Sequence, residues 1–323
     1  MSSTTKKSSF IKSIFQAPPF RWTKKLLGKI GFSGRGLVIA VPTIWLLVFF
    51  LIPFLVIAKI SLSEALIARP PYSSLLEWDS DGLLQISLNF GNYYYLIDDA
   101  LYIIAYLNSF KIATISTIFC LLIGYPIAYY IAKSPENKRN ILLMLIILPF
   151  WTSFLLRVYS WIGFFKANGI INAALLNLGI ISEPLIMLQT DFAVYVGIVY
   201  TYLPFMILPL YSNLVKLDDI LLEASADLGG RPMISFFKIT LPLSVPGIIA
   251  GSMLVLIPAV GEFVIPALLG GPDTLMIGRV LWDEFFSNRD WPVASAVSII
   301  MLVVLILPVM WIQNKQNSNL GES

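Results

Sequence analysis

Reactive side chains are scarce in this chain. Among its 323 residues there is no histidine, so the commonest general base and metal ligand is missing. The single cysteine, Cys120, lies in an apolar run, where a thiol behaves as a small buried hydrophobe, and one cysteine makes no disulfide within the chain. No G-x4-G-K-[ST] phosphate loop occurs, and the only Gly-Lys pair is Gly28-Lys29 in a basic tail. The chain is therefore expected to hold no cofactor and to lack an ATPase site of its own.

What remains is charge in unusual company. Arg157 and Glu262 fall inside long apolar runs, where an isolated charge is costly and marks a pathway or a structural pair. Tyr159 and Trp161 follow Arg157 closely and join it as candidates for a path through the membrane. Further on, Asp273, Asp283, Glu284 and Asp290 alternate with Trp282, Phe285, Phe286 and Trp291. Carboxylates and ring faces together attract an ammonium, through Coulomb energy and cation–π contact. Arg279 and Arg289 dilute that argument, and a solvated loop with interfacial aromatics fits the same residues.

A third polar feature, residues 218–242, interrupts apolar sequence. Asp218 or Asp219 suits a helix N-terminus. Ile220, Ala224 and Leu228 then share one face while Glu223 and Asp227 share another. Gly229-Gly230 suits a left-handed C-terminal cap, and Pro232 suits the first turn of a second helix running to about Thr240. The expected form is a helix-turn-helix elbow outside the bilayer; an ordinary amphipathic surface helix is the plainer alternative.

The surrounding sequence must position these residues in lipid. With 57% hydrophobic and 13% charged residues and a mean hydropathy of +0.80, the chain is an integral membrane protein rather than a soluble domain. Apolar runs at 37–58, 112–132, 141–165, 192–215, 246–269 and 293–312 predict six spanning helices and an all-α polytopic fold. Residues 1–36 then form a basic tail, 37–313 the transmembrane domain and 314–323 a polar tail. Counted from the inner ends of their spans, Arg157 and Glu262 each lie 16 residues along, about 24 Å on an ideal helix, so a pair at one depth is expected. Gly247 and Gly251 have the spacing of a close helix contact, and prolines recur within the spans.

Orientation follows from the basic residues. Residues 1–36 carry Lys6, Lys7, Lys12, Arg21, Lys24, Lys25, Lys29 and Arg35 with no acid, which places the N-terminus in the cytoplasm. The first apolar run starts too late and runs too long for a cleaved signal peptide, and a topology-setting tail explains the charge better than a nucleic-acid arm. Residues 1–13 have a disordered composition, and Pro18 to Trp22 suits a segment at headgroup depth. Glu64, Glu77, Asp79, Asp81, Asp98 and Asp99 mark an external connection, while Lys133, Lys138 and Arg139 mark a cytoplasmic one. By the same alternation the polar elbow and the C-terminus are cytoplasmic.

The stretch Glu223-Ala224-Ser225-Ala226-Asp227-Leu228-Gly229, with Ile239-Thr240-Leu241-Pro242 beginning ten residues after the glycine, resembles the EAA-x3-G-x9-I-x-LP signature of ATP-binding-cassette (ABC) importer permeases. Ser225 is the one departure. The stretches Asn108–Thr114, Gly124–Tyr129, Leu148–Ser153, Arg157–Gly163, Gly261–Pro266, Gly270–Thr274 and Trp282–Phe286 are similar to those of the polyamine-importer permeases. The likeness spans about 37–312 and is nearest the putrescine-system member of the spermidine/putrescine permease pair. It implies the type I importer fold, with a second homologous permease, a homodimeric ABC ATPase that uses ATP and Mg, and an extracytoplasmic polyamine-binding protein. It also implies ATPase coupling through Glu223, Ala224, Asp227, Gly229, Ile239, Leu241 and Pro242, in a bacterial inner membrane. An ion-coupled carrier acting alone would have no use for such a docking elbow. A membrane enzyme would require a nucleophile and base that are not evident.

The topology is directly testable. In a Cys120→Ala background, a cysteine placed at Asp81 or Asp283 is expected to react with an impermeant thiol reagent from outside intact cells. One at Glu136 or Asp227 should stay unlabelled until the cells are opened. Labelling of position 227 from outside would invert the arrangement.

Overall fold

The computed structural model describes residues 34–78 and 84–321. The tail readings for 1–33 and the carboxylates Asp79 and Asp81 lie outside the described residues. The chain divides into two compact units, Met1–Lys59 and Ile60–Ser323. In the first, helix α1 (Gly34–Leu46) passes through a π-helical turn, Leu47–Leu51, into α2 (Ile52–Ser61), which ends just inside the second unit.

The second unit begins with a short antiparallel ribbon, β1 (Leu76–Trp78) against β2 (Leu84–Ile86), with Leu76 opposite Ile86. The expected all-α chain thus carries one small sheet among its described residues. Helices α3 (Gly91–Asp98), α4 (Ala100–Lys133), α5 (Glu136–Ile147), α6 (Phe154–Phe165), α7 (Ile170–Asn177) and α8 (Asp191–Leu214) follow. After them come α9 (Ile220–Asp227), α10 (Pro232–Ser235), α11 (Leu241–Val260), α12 (Val264–Leu269), α13 (Ile277–Trp282) and α14 (Trp291–Gly321).

Among the described residues, four helical stretches are long and apolar enough to cross a membrane, five if one bent pair counts as a span; Trp291–Leu307 is a shorter apolar stretch. The six-span expectation is thus met only in part, by four or five of the six runs among the described residues, and several of those depart from the expected straight helices. The predicted span 141–165 is broken, its limbs Glu136–Trp151 and Phe154–Asn177 meeting at 89°. Pro149 lacks the N–H that would continue α5, the chain tightens into a 3-10 turn at Leu148–Trp151, and Thr152 is extended with its N–H and hydroxyl both on the Pro149 carbonyl. The predicted span 246–269 runs instead from Pro232 to Val260 and stops before Glu262. The second span also starts earlier than its apolar run, at Ala100, where the Asp99 carboxylate accepts from the Leu101 N–H at 2.9 Å. With 34 residues it is about 51 Å long, more than the hydrocarbon needs.

Two apolar clusters hold the second unit together, both threaded by α4 and α8. One gathers Tyr102, Ile112, Val158, Ile198, Val260, Ile265 and Ile277 with neighbours; the other gathers Cys120, Tyr125, Ile131, Met206, Leu210 and Val255. Polar links are few and directional: the buried Ser109 hydroxyl accepts from the Ile277 N–H at 2.8 Å, and the Tyr106 hydroxyl donates to the Val297 carbonyl at 2.7 Å. The Gly247/Gly251 face of α11 lies on α8. A Cβ at Gly247 would stand 2.7 Å from Asn213 Cβ, and one at Gly251 2.8 Å from Met206 Sδ and 3.0 Å from the Met206 carbonyl.

This packing gives a paired expectation. Gly251→Val drives a side chain into Met206 and should destabilise by about 1–3 kcal/mol. Gly163→Ala in α6, where an added Cβ meets nothing within 4 Å, should be neutral or stabilise by up to about 1 kcal/mol. Thermal unfolding of detergent-solubilised protein separates the two.

Candidate functional site

Two features bring the chemistry-bearing residues together: the polar elbow and a break that ends α11. The elbow is built by local rules. Asp218 Oδ1 accepts from the Ile220 N–H at 3.1 Å at the start of α9, while the Asp219 carboxylate pairs with Lys133 at the end of α4. At the other end the Gly230 N–H donates to the Ser225 carbonyl at 2.8 Å and the Gly229 N–H to the Ala226 carbonyl at 2.9 Å. With Gly229 at φ +79°, this is the Schellman cap that the Gly-Gly pair suggested. Ser225, the departure from the signature, hydrogen-bonds the Ser235 hydroxyl at 2.7 Å and ties the two arms of the elbow.

The second arm differs from expectation. It does not end near Thr240: α10 passes through a π-helical turn, Phe236–Thr240, directly into α11, a continuous helix from Pro232 to Val260. Ile239 and Leu241 are half-buried in it, Leu241 and Phe236 packing on the cluster around Tyr125 and Met206, whereas Pro242 is exposed. Glu223, Ala224, Asp227 and Gly229 are all exposed, as are Ile220 at 65% and Leu228 at 90%. An apolar stripe beside two carboxylates is thus left open on α9, while the second arm is rooted among the spans.

The break comes at Gly261-Glu262-Phe263, between α11 and α12. Pro258 withholds one helical donor from the last turn of α11, and Gly261 closes it. Glu262 then turns back on the chain. Its Oε1 accepts from the N–H groups of Val264 at 3.0 Å and Ile265 at 3.4 Å, and its Oε2 accepts from the Tyr202 hydroxyl at 2.6 Å. Three of the roughly four acceptor positions of a carboxylate are taken, and the residue is 8% exposed. From the other side Gly278 lies so close that a Cβ there would stand 2.3 Å from the Gly261 carbonyl oxygen and 2.7 Å from that of Glu262.

Arg157 and Glu262 do line one cavity, of about 470 Å³, walled by Phe150, Phe154, Tyr202, Phe205 and Phe263. They form no ion pair: among the described residues the single salt bridge is Lys133 with Asp219. The expected pair does not form although both charges reach one cavity, each sitting beside a helix break. The Arg157 guanidinium carbon lies 5.4 Å from the Phe150 ring centroid, and its buried Nε has no hydrogen-bond partner.

The remaining candidates scatter. Tyr159 is exposed, and Trp161 stacks on Phe165 and meets Tyr200 edge-on, both away from the Arg157 cavity. The expected loop of 270–290 is largely helical, α13 leading into a π-helical turn, Asp283–Asn288. There Glu284 accepts from the Tyr102 hydroxyl at 2.8 Å and the Asn288 amide at 2.9 Å, which makes it a strut to α4. Trp282 stacks on Phe263 at 4.4 Å, joining the rim of the break, and Asp283 is exposed. Tyr202, Phe205 and Gly278 were not singled out in the sequence. A tyrosine inside an apolar run was the only signal, and it is a weak one.

Comparison with known proteins agrees with this anatomy. The family model described as "Binding-protein-dependent transport system inner membrane component" matches residues 124–320, elbow and break included. The spermidine/putrescine transport system permease protein PotB of Haemophilus influenzae is 42% identical over 271 residues, 84% of this chain and 90% of its own length. PotB of Escherichia coli K12 is 41% identical over 269 residues, 83% of this chain and 93% of its own. Among solved structures, a bacterial ABC transporter involved in the import of the acidic polysaccharide alginate aligns with a TM-score of 0.67 at 17% identity, covering 91% of this chain and 99% of that one.

The cap geometry at the break predicts the outcome of substitutions there. Glu262→Ala removes a charged acceptor from three donors and should cost about 1.5–3 kcal/mol per bond lost without replacement, less where water enters. Because no ion pair exists, the swap Arg157→Glu with Glu262→Arg is expected to give no rescue over the single variants. A swap that restores the melting temperature would reinstate the pair.

Proposed function

Because the chain belongs to the family of binding-protein-dependent transport system inner membrane components, we propose that it is the permease of an ATP-driven importer of putrescine and spermidine. The observation that carries the substrate class is the identity of about two residues in five with the PotB permeases across more than four fifths of the chain. Fold alone does not supply it, since a structural neighbour belongs to a transporter involved in the import of an acidic polysaccharide. In this reading the chain works beside a second, related permease and receives polyamine from an extracytoplasmic binding protein. A homodimeric ATPase docked on the cytoplasmic elbow hydrolyses ATP with Mg.

The elbow geometry supports that division of labour. The open stripe of Ile220, Ala224 and Leu228, flanked by Glu223 and Asp227, offers apolar area and charge to the ATPase. Ile239 and Leu241 root the second arm. Since that arm is the start of a helix reaching Val260, displacement of the elbow moves the inner end of a spanning helix. Docking shifts the permease only if the elbow binds the two ATPase states with different affinity. Both termini are cytoplasmic in this arrangement.

Gly229 has φ +79° and open space around its missing Cβ, so Gly229→Val strains the backbone by about 1–2 kcal/mol without a clash. Gly229→Val and Glu223→Lys are expected to insert and express normally but to lose ATPase association and substrate-stimulated hydrolysis. Normal values of both, or failure of any ATPase subunit to copurify after mild extraction, would remove the coupling role. Competition between labelled putrescine and spermidine for binding-protein-dependent uptake in vesicles tests the substrate and which of the two is preferred.

A further inference from the structure

We propose that the groove between α4, α6 and α8 binds a phospholipid with a primary ammonium headgroup, of the phosphatidylethanolamine class. The site goes beyond the transport reading and does not depend on which substrate crosses.

The groove has a volume of about 590 Å³ and is lined by Phe119 and Ile123 of α4, Trp161 of α6, and Phe192, Val199 and Tyr200 of α8 with neighbours. Trp161 stacks on Phe165 at 5.1 Å and meets Tyr200 edge-on at 5.4 Å, so its ring walls the groove between α6 and α8. Phe119, Ile123, Phe192 and Tyr200 are exposed. From Phe192 to Tyr200 the groove follows α8 for about 12 Å, starting at the end remote from the elbow. With 24 residues, α8 is about 36 Å long, so that end lies at headgroup level and the groove runs into hydrocarbon.

The lining distinguishes a lipid tail from a protein helix. Helices pack on one another in a membrane through small residues and polar side chains. On α4 and α8 the small residues Gly124 and Gly197 face inward: a Cβ at Gly124 would stand 3.1 Å from Met206 Cγ, and one at Gly197 2.8 Å from Ile265 and Leu269. The groove presents bulky apolar and aromatic side chains instead, with open space between them that a flexible acyl chain fills.

The mouth supplies contacts for the headgroup. The Phe165 and Phe192 rings lie 5.8 Å apart, which brings Lys166 and Asp191, their neighbours in sequence, to the same end of the groove. Both are exposed, and neither has a salt bridge among the described residues. Asp191 Oδ1 accepts from the Thr274 hydroxyl at 2.6 Å, leaving Oδ2 without a partner among the described residues. A lysine at a helix end reaches headgroup depth. Its ammonium suits the lipid phosphate, and the Asp191 carboxylate suits the lipid ammonium. A quaternary choline carries the same charge but has no N–H to donate.

The test reads contact at Trp161. The native complex, purified with its partner subunits, is placed in phosphatidylcholine nanodiscs containing increasing fractions of brominated-acyl phosphatidylethanolamine or, separately, brominated-acyl phosphatidylcholine. Bromine quenches indole emission on contact, and the difference between the unmodified complex and Trp161→Phe isolates Trp161. Assembly of every variant is checked by size exclusion. The brominated phosphatidylethanolamine is expected to quench Trp161 at an about tenfold lower mole fraction than its choline counterpart, the effect of one charge-assisted hydrogen bond. Lys166→Gln and Asp191→Asn should each bring the two lipids to within about twofold. Equal quenching by both lipids in the unmodified complex makes the groove ordinary lipid-facing surface and overturns the site. Absence of quenching by either means that protein covers the groove, the second permease foremost, and overturns it too. So does a preference that survives Lys166→Gln, which decides the matter even where Asp191→Asn does not assemble. Putrescine uptake plays no part in the readout, so the lipid site and the substrate reading fail separately.

Discussion

A backbone inside hydrocarbon has no water to turn to, so every interruption of a spanning helix must be closed by the protein itself. That constraint governs the break at Gly261-Glu262-Phe263. One carboxylate, from Glu262, receives the first free N–H groups of α12 and the hydroxyl of Tyr202 on α8. One missing side chain, at Gly278, lets α13 close on the same carbonyls. Around this junction the first apolar cluster brings Val260, Ile265, Ile277 and Ile198 together. The cavity exists because the helix stops there, and Phe263 reaches from the break to stack on Trp282.

The elbow solves a different problem with the same economy. It combines a surface that stays open with a root packed among the spans. The Gly229 cap reverses the chain within a few residues, leaving α9 with no buried residue. The second arm continues to Val260 through a π-helical turn, at which Phe236 meets Tyr125 edge-on at 5.7 Å, and just beyond that turn the Ser244 hydroxyl bonds Tyr125 at 2.9 Å. The Lys133–Asp219 pair joins the end of α4 to the start of α9. An exposed pair of this kind adds little stability, but it restricts where the elbow can point. Elbow, α11 and the break thus form one mechanical line, with the cavity at its far end.

In this light Arg157 and Glu262 are not the resting partners that opposite charges in lipid suggest. Each has found a local solution, Glu262 as a helix cap and Arg157 against an aromatic face. The gain from pairing two desolvated charges depends on geometry that breaks in both helices have removed. Their separate solutions leave both charges lining one cavity without a salt bridge between them.

Local sequence determined whatever local chemistry controls. The elbow was legible because a capping aspartate, a glycine pair and a proline act within residues 218–232, and their hydrogen bonds connect near neighbours in the chain. Membrane residence was legible because hydrocarbon demands apolar composition regardless of tertiary contacts. The helix breaks and the fate of the two charges were not. Hydropathy records which residues tolerate lipid but is blind to where a backbone bond is replaced by a distant side chain. Tyr202 reaches Glu262 across 60 residues of chain, and the Ile277 N–H reaches Ser109 across 168. Only the packed structure decides whether such partners meet, because each is satisfied by a group that no local spacing brings near it.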